Sequence, residues 1–241
     1  STPLQVRYPQ GVRDALGIMS EQLSLSVSDL TRILVEDALS EMFLPADNIV
    51  RRLLSRMEHI MQAHDISATT MAALLAPWNI RPAVFREPDR LTDYLTGEIL
   101  AALADWFYLS PEWLNGRVHY PLYRPGDWPA TQEIFCRIIS ARENMDIILW
   151  HGFPFAGTHS GEYCGVLLRQ KKEINNTIIY PVLSLYPVRM DIEKEGWFQM
   201  ARKISPDIPV RAVTLTPAQA EYLITGKILP TALFRVPLSP W

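Results

Sequence analysis

Cysteine is scarce in this chain of 241 residues, in which only Cys136 and Cys164 occur. Two cysteines cannot build the framework of several disulfides that small secreted domains depend on, so the composition favours a reducing compartment. The chain also lacks an apolar run of the ~18 residues that a membrane span requires. Its first residues contain no basic stretch followed by an apolar block, which a secretory leader would show. We therefore expect a cytoplasmic protein that does not associate with a membrane.

A basic excess is missing as well, since the formal net charge is −3. Residues 1–44 hold three Arg and six Asp or Glu, and residues 45–117 hold seven Arg and nine Asp or Glu. Residues 118–241 hold thirteen Lys or Arg and eleven Asp or Glu. Proteins that coat nucleic acid without sequence preference carry a strong positive charge, so this class is excluded. If this chain binds DNA, it does so with a few well-placed basic groups.

What the chain does contain is a substantial core, because apolar residues make up 48% of it and charged residues 20%. Turn signals and composition divide it into four parts. Residues 1–44 contain one strand-like run and two helical patterns, residues 45–117 are helical, residues 118–130 are a linker rich in proline, and residues 131–241 alternate strands with helices. The predicted fold class is multi-domain α+β, in which the last domain is α+β or α/β.

The strand-like run, residues 4–8, alternates apolar and polar side chains, which is typical of a strand with one solvated face. Pro9 ends this strand, and two amphipathic helices follow, the second with Ser28 as its expected N-cap. One strand and two short helices bury too little apolar surface to be stable alone, and the strand leaves an open edge. Pairing with a second copy solves both problems, so we expect a homodimer or a higher homo-oligomer joined by an antiparallel two-stranded ribbon.

Residues 3–43, with the runs Leu4–Pro9 and Ser26–Arg32, resemble the ribbon-helix-helix repressors of the Arc and MetJ type. The resemblance implies that Gln5 and Arg7 read base edges in the major groove of double-stranded DNA. Both side chains are suited to this, because arginine can donate two hydrogen bonds to guanine and glutamine can pair with adenine. The resemblance also implies that the start of the second helix, with Ser26 and Ser28, holds a phosphate. A third reading position is occupied by Pro3, which has no hydrogen-bonding side chain.

Residues 45–117 are similar to the helix-turn-helix domains of the Cro/C1 (Xre) repressor type, and Leu103–Gly116 is the closest match. The resemblance implies a recognition helix that begins near Arg81 and Pro82, with basic side chains as a second set of DNA contacts: Arg81, Arg86 and Arg90. Glu87 and Asp89 lie beside them and would repel phosphates, so the alternative is a helical domain without groove binding. Phosphate contacts are also expected from Arg51 and Arg52, close to Arg56, although a solvated helix face is the alternative.

Residues 131–241 resemble no family that we recognise, and their most reactive stretch is His151–Cys164. A metal site or a Cys/His nucleophile is conceivable there, but the spacing fits no tight metal motif. We therefore predict no metal site, no cofactor and no enzyme activity. A ligand-sensing pocket for a small-molecule or protein effector is favoured over catalysis, lined by Trp150, Phe153, Phe155 and Tyr163. A domain that only sets the assembly is favoured over both.

Three functional hypotheses follow from these patterns. The leading one is a transcriptional regulator, such as a repressor, that binds operator DNA as a dimer through the ribbon. The second is a DNA-binding accessory protein of a plasmid or other mobile element, acting in partition, transfer or replication. The third is an antitoxin-like or adaptor protein that binds other proteins and does not read DNA, which the net negative charge favours.

Overall fold

The computed structural model of the chain describes residues 6–23, 26–28, 31–32, 34–35, 47–140, 146–155, 159–204 and 210–241. The chain divides into two compact units, Ser1–Ile49 and Val50–Trp241. Together they form a mixed α+β protein, as the sequence predicts at this coarse level. The finer division into four parts, with boundaries at residues 44, 117 and 130, stays a prediction. In the described part of the chain, no helix is long and apolar enough to cross a membrane.

In the first unit, helix α1 (Gln10–Leu23) follows directly after Pro9, as the apolar spacing predicts. Residues 6–9 lie outside any helix or strand. Val27 and Ser28 already have helical backbone, and the hydroxyl of Thr31 donates to the carbonyl of Val27 over 2.8 Å, as in a helical turn. The expected N-cap at Ser28 is therefore wrong, because Ser28 is part of a turn that has already begun.

Eight further α-helices and three short 3-10 helices lie in the described residues from Asp47 onward. The α-helices are α2 (Asp47–His64), α3 (Ala68–Leu74), α4 (Pro88–Tyr94), α5 (Gly97–Phe107), α6 (Pro111–Leu114), α7 (Gln132–Ser140), α8 (Ile192–Ile204) and α9 (Pro217–Ile224) among the described residues. Short 3-10 helices span Ala76–Trp78, Pro82–Arg86 and Pro230–Phe234. Side-chain caps start several of them: Ser67 for α3, Ser110 for α6, and Thr216 for α9, which forms a full capping box with Gln219.

The strands are β1 (Asp146–Gly152), β2 (Tyr163–Arg169), β3 (Lys172–Ile174), β4 (Thr177–Ile179), β5 (Val182–Ser184), β6 (Val188–Arg189), β7 (Val210–Thr214) and β8 (Ser239–Pro240) within the described ranges. The main sheet has the order β5-β2-β1-β7-β8, and β6 also pairs with β2. Only β1 and β7 run parallel in it, while β3 and β4 form a separate hairpin. The central strands β1 and β2 are continuous apolar runs because both of their faces are covered.

The two faces of the sheet pack into different cores. Alternate residues such as Ile148, Trp150 and Leu167 join a large core with α2–α6, α9 and the last 3-10 helix. Ile147, Leu149 and their neighbours face α7 and α8, where an aromatic cluster fills the space: Trp128, Phe135, Trp197 and Phe198. The helices between residues 50 and 117 therefore share one core with the sheet.

The segment 118–130 contains no helix or strand, in agreement with its proline content, but it is firmly held. Leu122 and Tyr123 are buried, and the Tyr123 hydroxyl donates to the carbonyl of Leu223 over 2.5 Å. Backbone N–H groups of Leu122 and Gly126 donate to the carbonyls of Gly226 and Ser184. The linker interpretation did not anticipate this burial, since proline-rich composition does not distinguish a free linker from a packed one.

Two expected elements differ from the structure at prolines. The sequence predicts a long apolar strand over 177–186 with an edge or a bulge at Pro181. The structure divides this run at Pro181 into β4 and β5, which belong to different sheets, because proline cannot donate to a ladder. The recognition helix expected from Arg81 is a 3-10 helix of five residues, Pro82–Arg86. It stops at Glu87, whose backbone is extended (φ −118°, ψ 91°), since Pro88 disfavours helical backbone in the residue before it.

Candidate functional sites

The residues expected to read DNA bases lie at the start of the chain. Gln5 is outside the described residues, and Arg7 has an exposed side chain on the segment that leads into α1. Ser26 and Ser28, the expected phosphate contacts, are exposed. An antiparallel ribbon requires a second copy, so the structure of a single chain does not test whether the ribbon forms. The exposure of Arg7 leaves its guanidinium accessible to a partner.

The basic residues between 51 and 90 are less uniform than their sequence suggests. Arg52 is half-buried, and Arg56, which the sequence groups with it, is buried against the ring of Trp113 at 5.5 Å from its centroid. Arg90 is exposed but pairs with Glu87 over 3.0 Å, which raises its pKa. Arg81 is exposed, while the side chains of Arg51 and Arg86 lie outside the described part. The helix-turn-helix contacts with DNA stay a prediction.

A hydrogen-bonded line of three side chains occupies the carboxyl ends of β1 and β7. His151 and Thr214 are direct partners in this parallel pair, and the Thr214 hydroxyl lies 2.8 Å from Nε2 of His151. The other ring nitrogen, Nδ1, is hydrogen-bonded to the carboxylate of Glu162, just before β2. A carboxylate accepts, so Nδ1 carries a proton, and in the neutral imidazole the threonine hydroxyl donates to Nε2.

This line has the carboxylate–imidazole–hydroxyl order that activates nucleophilic hydroxyls in enzymes. It is enclosed, however: the side chain of His151 is 13% exposed, and the ring of Trp241 lies 4.5 Å from the imidazole between centroids. The hydrogen bonds also satisfy the polar atoms of these three side chains at the ends of strands. We interpret the line as a structural connection among β1, β7 and the segment that precedes β2.

The Cys/His nucleophile that the sequence left open is not supported by the position of Cys164. This thiol is fully buried in the core beneath α7 and α8. Burial, with a smaller effect of the Asp191 charge, raises the pKa of Cys164 to about 12, so the thiolate that attacks electrophiles is scarce near neutral pH. His159 lies 3.3 Å from the buried carboxylate of Glu221 instead.

The four rings expected to line a ligand pocket differ widely in burial. Trp150 is fully buried, whereas Phe153 is 59% exposed. Phe155 and Tyr163 are half-buried, and Tyr163 contacts His159 edge to face. Trp150 fills core volume above Gly165, so it lines no open space there. Sequence reasoning also missed Thr214, because it lies 63 residues from His151 and only the parallel pairing brings them together.

The chain matches no protein-family model, no curated protein and no solved structure.

Proposed function

We propose that the protein is a sequence-specific DNA-binding transcriptional regulator that acts as a homodimer through its first unit. The observation that carries this proposal is the separation of residues 1–49 as a compact unit of their own. In it, Arg7 is exposed on a short segment that enters the amphipathic helix α1 after Pro9. This is the order of parts that the ribbon-helix-helix resemblance requires.

The physical argument concerns burial and charge. A unit of about 50 residues with two or three short elements has little core of its own, so a second copy is the economical way to cover its apolar face. A two-stranded ribbon fits the major groove, and Gln5 and Arg7 are side chains that distinguish base edges there. The net charge of −3 implies few phosphate contacts, so sequence readout must supply much of the affinity.

The test begins with genome-wide mapping of bound sites and footprinting, which supply the operator. Arg7→Ala should then weaken binding to that operator by about 1–3 kcal/mol at fixed salt while the dimer stays intact. Arg202→Ala is the matched control, because Arg202 is exposed in the last turn of α8, far along the chain. Equal affinity of the Arg7 and Arg202 variants would remove the ribbon from DNA reading.

Two outcomes of the same experiments identify the alternatives. Bound sites away from promoters, at replication or transfer origins, would favour an accessory protein of a mobile element. An absence of binding at a salt concentration of ~50 mM, where phosphate contacts are strongest, would favour an adaptor or antitoxin-like protein.

A further inference from the structure

The second unit contains an open cleft of about 560 Å³ on the face of the main sheet that shares a core with α2–α6 and α9. It lies between the end of α2, the start of α3, the strand β4 and the last 3-10 helix. Its walls combine two arginines, one histidine and one aspartate with apolar and aromatic side chains. The lining residues are His64, Asp65, Ile66, Thr70, Arg169, Ile178, Ile179, Tyr180, Thr231, Phe234 and Arg235.

Positive charge is concentrated around one ring of this cleft. The guanidinium carbons of Arg169 and Arg211 lie 5.0 Å and 5.5 Å from the centroid of Phe234. Arg235 follows Phe234 directly in the chain and is exposed. The burial of Arg169 and the charge of Arg211 lower the pKa of the Arg169 guanidinium. The neighbouring cations Arg169 and Arg211 repel each other, and a bound anion would relieve that repulsion.

The acidic groups close to these arginines do not balance them. Asp146 is hydrogen-bonded to Arg169, and the two side chains stay 31% and 38% exposed, so Arg169 keeps donors free for the cleft. Asp65 is the single carboxylate among the lining residues. Arg235 donates to the backbone carbonyl of Gln62 over 2.5 Å, which orients its guanidinium without neutralising it. With Asp65 and Asp146 set against Arg169, Arg211 and Arg235, these side chains in and beside the cleft carry one net positive charge.

A buried polar atom lies in the same wall. The imidazole of His64 packs on Phe107 at 4.6 Å between centroids, and its Nδ1 lies 3.4 Å from the hydroxyl of Thr231. Its Nε2 is buried and has no hydrogen-bond partner among the described residues. An unsatisfied buried polar atom is costly to the fold, so this wall of the cleft is not packed for stability alone.

We propose that this cleft binds a small organic anion, a carboxylate or a phosphate monoester with a flat apolar part. The anionic group lies between Arg169 and Arg235, whose guanidinium groups match the geometry of carboxylate and phosphate oxygens. The apolar part lies against Ile178, Tyr180 and Phe234. No sequence motif marks this site, because its residues come from positions 64 to 235. The inference goes beyond DNA binding and does not depend on it.

The test uses the full chain and four probes: phenyl phosphate, benzoate, the neutral benzyl alcohol, and inorganic phosphate. Isothermal titration calorimetry and ligand-observed NMR measure saturable binding. We expect at least one of the two aromatic anions to bind with a Kd of about 1 mM or tighter. Benzyl alcohol should bind at least about tenfold more weakly, since it lacks the charge that the arginines recognise. Inorganic phosphate should also be weaker than phenyl phosphate, since it lacks the apolar part.

Two variants locate the binding. Arg235→Met, at an exposed lining position, should weaken binding of the aromatic anion by about tenfold, as expected for the loss of one charged contact. Arg211→Met, whose guanidinium lies over Phe234 and outside the lining, should weaken binding by less than Arg235→Met. The control is Arg202→Met on α8, which packs on the other face of the sheet and should bind like the original chain. Circular dichroism verifies that each variant is folded.

Each remaining outcome overturns the proposal. The proposal is overturned if neither aromatic anion shows saturable binding at a concentration ten times the expected Kd. Equal affinity for benzyl alcohol and the anions would also overturn it, because it would mark a site that recognises only the ring. Binding that is lost equally in the Arg202 control would show attraction to overall positive charge. Operator binding is not measured in this test, so its result and that of the Arg7 experiment are independent.

Discussion

At the scale of single residues, the packing of Trp150 in the core depends on one glycine. The indole of Trp150 lies over Gly165, its direct partner on β2, and a Cβ built on that glycine would lie 2.6 Å from the ring. Cβ atoms in proteins do not approach other atoms this closely, so an alanine at position 165 would require the indole to move. Because Trp150 is fully buried in a core packed on every side, it has no room to do so.

Gly165→Ala should therefore lower the free energy of unfolding by about 1–3 kcal/mol, the usual cost of overpacking. Gly196→Ala is a matched control in α8, where an added Cβ meets no atom within 4 Å. The control should stabilise the helix by about 0.5–1 kcal/mol. Urea unfolding followed by circular dichroism measures both, and equal effects of the two substitutions would contradict the close contact.

The buried residue His64 makes the stability of the fold depend on pH. Burial, followed by the charge of Arg235, lowers the pKa of His64 from 6.5 to about 3 in the folded chain. The unfolded chain therefore binds a proton between these values that the folded chain does not bind. The free energy of unfolding falls as pH decreases through this range, and above it His64 has no effect on the pH dependence.

His64→Met should flatten this part of the stability profile, so that the variant loses less free energy of unfolding than the original chain between about pH 7 and about pH 4. Urea titrations across that range provide the measurement. Parallel profiles for the original chain and His64→Met would show that His64 titrates alike in both states.

At the scale of elements, the line of Glu162, His151 and Thr214 holds strand ends together. Thr214→Val keeps the shape of the side chain and removes the hydroxyl, which leaves Nε2 of the largely buried His151 without its partner. We expect a loss of about 1–3 kcal/mol in the free energy of unfolding, and Thr214→Ser should recover most of it. Hydrolysis of an activated ester by the original chain, lost in Thr214→Val, would instead identify a nucleophile.

Most individual elements could be predicted from local sequence. The apolar spacing of α1, α2 and α8 and the apolar runs of β1 and β2 agree with the structure, since periodicity reports which face is buried. Besides the N-cap expected at Ser28, two differences lie at prolines. Pro88 ends the helix expected from Arg81, and Pro181 divides one expected strand between two sheets. The sequence shows that a proline interrupts a helix or strand, but only the fold decides which strands the segments on either side of it pair with.

At the scale of the whole molecule, the two compact units lead to different expectations for unfolding. If the first unit, residues 1–49, is completed by a second copy, its melting temperature rises with protein concentration, because dissociation accompanies its unfolding. The second unit has its own large core, and its transition should be independent of concentration. Circular dichroism melts over a hundredfold range of concentration provide the measurement. A single concentration-independent transition would contradict a dimer formed through the first unit.

The sequence alone determined the mixed α+β character, the positions of most helices and strands, and Arg7 as a residue for the DNA hypothesis. These follow from periodicity and side-chain chemistry, which are local properties of the chain. The tertiary structure decided the shared core of the helices and the sheet, the meeting of His151 with Thr214, and the basic cleft around Phe234. These depend on residues far apart in the chain, which only strand pairing and packing bring together.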